Sequence, residues 1–354
     1  MSGSSIIRSG WWVVPAAGLL TLIVGAVMVF PLFDQKPSPT RGGDFDLSDT
    51  LVPRDLIVRA MNTDGVMVLT RPAVVDAAEV DRFNREERGK MLVPHDRVIG
   101  IEIAGEARAY PLRLMRWHEV VNDVVGGESV AVTYSPLCDS VAVFSRVLDG
   151  TEIELGASGL LYNSNTLLYD RRSGPAASPL WIQLTGRPVA RSETGPSLDL
   201  VLRPAKLTTW AVWRELHPST SVLAPLAEMK KPYKRDPFNS YYGSDLLKFP
   251  VEPLPPDGAL LLKDRIVITT IDGVDTVFAL PDLAAAAGAS AGSIDVTAEG
   301  LPLRIRFDDV LGVADVEPLG DPTRLAAVRS AFWFAWFSLE GTVPVIIPDA
   351  ARDR

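Results

Sequence analysis

Cys138, the only cysteine of the chain, and His118, one of its three histidines, fall within one block of 40 residues, ARAYPLRLMRWHEVVNDVVGGESVAVTYSPLCDSVAVFSR, residues 107–146. A thiol beside an imidazole can do nucleophilic chemistry: Cys138 attacks, His118 takes the proton, and Asn122 or Glu119 orients the ring. That arrangement predicts alkylation of Cys138 by iodoacetamide, slowed in His118→Ala. The same sulfur with His118 or His217 makes a mixed donor set suited to copper or zinc. A third possibility is binding without reaction. Asn122, Asp123 and Tyr134, together with Asn163, Asn165, Asp170, Arg171 and Gln183 downstream, would then form a polar wall for a small ligand, backed by Trp181, Tyr241 and Tyr242.

Each of these residues also has a structural explanation. His118 borders an apolar stripe and fits a buried, hydrogen-bonded histidine. A lone cysteine is commonly an inert small hydrophobe, and Asp139 next to it would raise its pKa. His217 precedes Pro218 at a helix end, where a cation meets the last carbonyls, and Asn163 and Asn165 suit turns. The zinc-protease pattern is absent because Asn122 stands where the second histidine would be.

The elements that would position these groups follow from periodicity. Residues 98–112, VIGIEIAGEARAYPL, alternate about Ala104, Gly105 and Glu106 and predict a hairpin. Leu114, Trp117, Val121 and Val124 recur at spacings of three and four, which predicts a helix ending at Gly126 and Gly127 with His118 and Asn122 on one face. Strands are expected at Val130 to Tyr134 and Val141 to Val147. Pro136 makes the connection between them, with Cys138, an exposed loop. A strand is expected at Leu167 to Tyr169, and a helix from Thr208 carrying Trp210 and Trp213 to His217. The proline-rich run PVEPLPPDG, residues 250–258, marks an internal boundary. Beyond it DRIVITTIDG (264–273) echoes DRVIGIEIAG (96–105), with Phe278 and Leu280 in the places of Tyr110 and Leu112. The fold class is therefore α+β: a β-rich domain with short helices, in which the echo suggests a duplicated β unit.

Residues 11–33, WWVVPAAGLLTLIVGAVMVFPLF, contain no charge and are long enough as a helix to cross a bilayer. Their length and the absence of a small-x-small exit favour an uncleaved signal anchor over a cleaved signal peptide. The expected organisation is a short tail (1–10), this transmembrane anchor (11–33), a flexible tether (34–56), a site-bearing domain (57–250) and a β-rich C-terminal half (251–354). The net charge of −9 disfavours a nucleic-acid surface. One cysteine excludes an intrachain disulfide.

The phrases ARAYP, HEVVND, VTYSPLC, GLLYNSNTLLYDR, LWIQLTG, TTWAVWRELHP and FWFAW, in that order, resemble the bacterial and archaeal family called domain of unknown function 3179. The resemblance implies an exported protein with its globular part outside the cytoplasm, and no particular activity. The family's loop is similar to YCPLC; here Ser135 stands at the first cysteine position, which removes any two-thiolate role that the resemblance would imply.

Overall fold

Valine and isoleucine alternating with polar residues draw Arg97–Ile103 (β1) and Glu106–Pro111 (β2) into an antiparallel hairpin turned at Ala104 and Gly105, as expected. A short helix follows at Leu112–His118 (α1). Then come three strands in meander: Val120–Val125 (β3), Glu128–Ser135 (β4) and Ser140–Ser145 (β5). An excursion contributes Leu155–Tyr162 (β6), Asn165–Asp170 (β7) and Leu180–Ile182 (β8), and the chain returns through Lys206–Thr209 (β9) into Trp210–Leu216 (α2). Thr209 caps α2 through its hydroxyl. The computed structural model describes residues 38–39, 44–86, 90–190, 199–258 and 260–344. The expected membrane anchor (11–33) lies outside the described residues, among which no helix is long and apolar enough to cross a membrane. Packing begins before residue 57, since Phe45 and Leu47, within the expected tether, are buried.

After the proline-rich run the same order of elements recurs: Arg265–Ile271 (β10), Val274–Ala279 (β11), Leu280–Ala287 (α3), Ala291–Ala298 (β12), Leu301–Asp308 (β13), Val313–Pro318 (β14), Leu325–Phe332 (β15) and Trp333–Glu340 (α4). β10 and β11 begin and end, and α3 begins, at one constant offset from β1, β2 and α1. The likeness reaches individual bonds. Thr209 pairs with Arg97, and Phe332 with Arg265. The amide of Trp210 donates to the Asp96 carbonyl, and that of Trp333 to the Asp264 carbonyl, both at 2.8 Å. The backbone amides of Val93 and Leu261 donate to the carboxylates of Asp96 and Asp264.

The two sets interlock. One sheet runs β11-β10-β15-β5-β4-β3, so three strands of the second set continue into the meander of the first; the other runs β12-β13-β14-β9-β1-β2 and does the reverse. The seams are Val141 against Ser330 and Leu207 against Ala314. Each sheet therefore crosses the 250–258 run. Two equivalent cores result, one around Ile99, Tyr110, Val132 and Tyr134, the other around Val267, Phe278, Ile305 and Phe307.

One buried carboxylate draws on both halves. Asp139 is buried and accepts from Arg97 Nη1 (3.1 Å), Arg265 Nε (2.7 Å) and Tyr134 Oη (2.6 Å). Arg97 and Arg265 are equivalent positions of the two hairpins. The second set has Gly312 where the first has Asp139: both lie at positive φ and both amides bond three residues back at 3.2 Å. A Cβ at Gly312 would come within 2.3 Å of the Arg265 side chain, so glycine there leaves room for Arg265 to pass.

The third sheet combines β6, β7 and β8, from the excursion that only the first set contains, with Ile57–Arg59, which precedes both sets and pairs with β6. It packs on the outer face of the meander, where Ala131, Ala142 and Phe144 meet Leu155, Leu168 and Trp181.

Candidate functional site

Alternation along β4 decides which groups meet. Val130, Val132 and Tyr134 point into the core of the interlocked sheets, so Ala131, Thr133 and Ser135 face the third sheet. Across that interface runs a buried polar chain. Gln183 donates to Thr133 (2.9 Å) and accepts from Ser140 (2.6 Å); Asn165 donates to Ser140 (3.1 Å) and accepts from the amide of Leu184 (3.1 Å). Thr166 bonds Ser135 (3.1 Å) and donates to Glu119 Oε2 (3.1 Å). Cys138 ends the short 3-10 turn Pro136–Cys138 and is fully buried.

Glu119 is where this chain of groups opens. Its carboxylate lies beside a cavity of about 30 Å³ walled by Ala60, Met61, Pro136, Leu137, Ala157, Gly159, Leu160, Leu161, Thr166, Phe238 and Phe249. Its Oε1 makes no hydrogen bond among the described residues. Burial pushes its pKa up to about 7, against the Thr166 hydrogen bond, which lowers it. Its backbone sits at φ 57, ψ −36, outside the regions open to a non-glycine residue. Such a conformation costs about 1–3 kcal/mol and is found most often where a side chain must be held in one place for function. Here the neighbours impose it: the Glu119 amide closes α1 on the Met115 carbonyl, and its own carbonyl accepts from Tyr134 to start β3.

That turn overturns the expected helix through Asn122. α1 ends at His118, and after Glu119 the six positions Val120–Val125 are strand, so His118 and Asn122 do not share a helix face. The β-branched run Val120, Val121, Val124, Val125 pairs with β4, and strand pairing overrides the three-and-four spacing. Cys138 lies in the predicted connection but is fully buried, the reverse of the expected exposure. Burial pushes its thiol up to about 12, with Asp139 contributing in the same direction. Iodoacetamide is therefore expected to leave Cys138 at least about 1,000-fold less modified than the unfolded chain at pH 7.5, read by intact mass.

The structure does not pair His118 with Cys138. The Met67 carbonyl at 2.6 Å fixes the proton on His118 Nδ1, leaving Nε2 to accept from the Tyr233 hydroxyl at 2.5 Å. Both ring nitrogens are engaged, and burial lowers the pKa so the ring stays neutral. His217 stacks on Trp213 and lies 3.7 Å from Glu102. Among the described residues no three of His, Cys, Asp and Glu converge to hold a metal ion.

The remaining polar residues divide cleanly. Glu119, Asn165 and Gln183 belong to the buried chain. Asn122 exchanges two hydrogen bonds with the backbone of Leu155 and so splices β3 to β6. Asp123 accepts from Arg108 and Tyr110 on the other side of the sheet. Tyr134 serves Asp139. Asn163 holds the backbone of Glu252 and Ser338, and Asp170 caps the turn at Arg172 and Ser173. Arg171 pairs with Glu154 and Asp64 near the surface. Sequence reasoning missed Thr133, Ser140 and Thr166. Their signal was present as polar residues on one face of otherwise apolar strands. The walls Ala60, Met61, Phe238 and Phe249 carry no such mark, because only the tertiary fold brings them to Glu119.

Compared with known proteins, the chain matches the family described as "Protein of unknown function (DUF3179)" over residues 64–342. No curated protein and no solved structure matches it.

Proposed function

Starting from the fact that the chain belongs to the DUF3179 family, whose description assigns no activity, we propose that the protein binds a small ligand in the cavity at Glu119. Its globular part would stand outside the cytoplasm, anchored by residues 11–33. The observation that carries the binding reading is a largely buried carboxyl with one oxygen held by Thr166 and the other open to the cavity, on strained backbone at an apolar wall. Relative to the sequence reading the centre moves from the His118–Cys138 pair to Glu119, with Cys138, Asn165 and Gln183 as the buried support of Thr166 and Ser135. The uncharged run at 11–33 and the resemblance to exported proteins support the location. The constant offset between the two sets of elements supports internal duplication, with ligand binding confined to the copy that carries the third sheet.

Ala60→Leu tests the site because the added carbons enter the cavity. Ligand-observed NMR with a library of small fragments should give hits on the wild-type protein that are lost in Ala60→Leu. Hits retained by the filled variant would place binding elsewhere.

A second reading draws on the carboxyl titrating at about 7. A group so tuned suits general acid–base catalysis near neutral pH, and it would make Glu119 the reacting group in place of the thiol. Turnover by the wild type and none by Glu119→Gln, with binding retained, would select this reading.

A further inference from the structure

We propose that the cavity at Glu119 takes the primary-ammonium end of a small amine, with the amine's hydrocarbon body against the lining residues Leu160, Leu161, Phe238 and Phe249. This rests on the reading of the cavity as a ligand site and adds the chemical class of the ligand.

Charge is the first ground. An ionised carboxylate in an apolar wall needs a counter-charge, and none of the residues lining this cavity is cationic. Of the arginines, Arg97 and Arg265 serve Asp139 and Arg116 serves Asp236 at 2.6 Å, while Arg59, beside the walls Ala60 and Met61, gives its Nη1 to the Met61 carbonyl at 3.3 Å and does not shift the Glu119 carboxyl. What neutralises Glu119 therefore comes from outside, as a proton or as a cation that replaces it. Burial alone raises the Glu119 pKa, which favours the proton in that place until a cation displaces it.

Size and donor count narrow the cation. A cavity of about 30 Å³ has room for about two water-sized groups, hence for a nitrogen and its first carbon. A trimethylated nitrogen is too wide. Glu119 Oε1 is an acceptor without a donor, and the Thr166 hydroxyl beside it offers a lone pair; an ammonium group brings three N–H donors to these two acceptors. A ligand carboxylate would meet Glu119 as a like charge, and an alcohol would leave the charge uncompensated.

Binding should then compete with protonation of Glu119. The other titratable groups on the packed elements hold one state near neutrality: burial keeps Cys138 and Tyr134 protonated and His118 neutral, while Asp139 remains ionised between its arginines.

The test is calorimetry on the full chain in detergent with n-butylammonium, n-butanol, butyrate and tetramethylammonium as probes. Butylammonium should bind best, with an affinity rising roughly 30-fold from pH 5.5 to 8, the ratio of ionised carboxylate for a group titrating at about 7. The three other probes should bind at least tenfold more weakly, and Glu119→Gln should lose the preference for the amine. Ala60→Leu should abolish binding whatever the state of position 119. If butanol binds as well as butylammonium, or Glu119→Gln keeps the preference, the ammonium assignment is overturned while the cavity stands as a ligand site. If no probe and no library fragment binds the wild type, both fall.

Discussion

Glu119→Gln is expected to make the folded protein more stable at pH 8, by about 3 kcal/mol, and to leave its stability unchanged at pH 4. The carboxyl titrates at about 7 when folded and near 4.5 when unfolded, and each unit of difference is worth about 1.4 kcal/mol. The folded state binds the proton more tightly, so between pH 4.5 and 7 it holds more protons than the unfolded chain, and stability falls as pH rises. Below 4.5 both states are protonated and the penalty vanishes; above 7 it is complete. Glutamine keeps an acceptor for the Thr166 hydroxyl and carries no charge, so the variant escapes the penalty. Urea unfolding at pH 4, 6 and 8 reads the difference. Equal stability of the two proteins at every pH would mean that Glu119 is solvated in the folded state. A residue that weakens the fold at neutral pH, on strained backbone, is one whose retention points to use rather than architecture.

Asp139→Asn should act in the opposite direction and cost about 3–5 kcal/mol at pH 7, because removing one member of a buried ion cluster leaves the others uncompensated. Two guanidinium groups, Arg97 and Arg265, would face a neutral amide. Burial works against the Asp139 charge, but the two arginines and the Tyr134 hydroxyl outweigh it and hold the carboxyl down at about 2. Its contribution is therefore fully present above 3.8 and lost as pH falls through about 2. The difference between wild type and Asp139→Asn should narrow over the same range, as followed by guanidinium unfolding at pH 7, 4 and 2. Since Arg97 and Arg265 come from the two interlocked sets, the variant should loosen both together. Protection lost at the Val141–Ser330 and Leu207–Ala314 seams in hydrogen exchange would show this. A loss below 1 kcal/mol would contradict the role of Asp139 as the tie between halves.

Local pattern revealed the hairpins, the strands on either side of Pro136, the helix at Trp210 and the echo between residues 96–105 and 264–273, because each depends on alternation or spacing within a few residues. It failed at Glu119. The sequence HEVVND carries both a three-and-four spacing and a β-branched alternation, and the choice between them is made by pairing with β4, which no local window contains. Cys138 was misplaced at the surface for a related reason. Asp139 beside it reads as a solvated charge, yet its counter-charges arrive from positions 97 and 265. The candidate site was half visible: Glu119, Asn165 and Gln183 stood among the polar residues singled out, whereas Thr166 and the apolar walls acquire meaning only when the third sheet folds over the meander. The cavity is a product of that long-range packing, and the excursion that helps to build it is present in the first set of elements and absent from the second.

Carbon-13 NMR of protein labelled at the glutamate carboxyls, titrated from pH 4 to 9, addresses the carboxyl at 119 most directly. One resonance, absent from Glu119→Gln, is expected to titrate with an apparent pKa near 7, and n-butylammonium should move that pKa downward. If every glutamate carboxyl titrates below about 5, Glu119 is an ordinary solvated acid and the site built around it is contradicted.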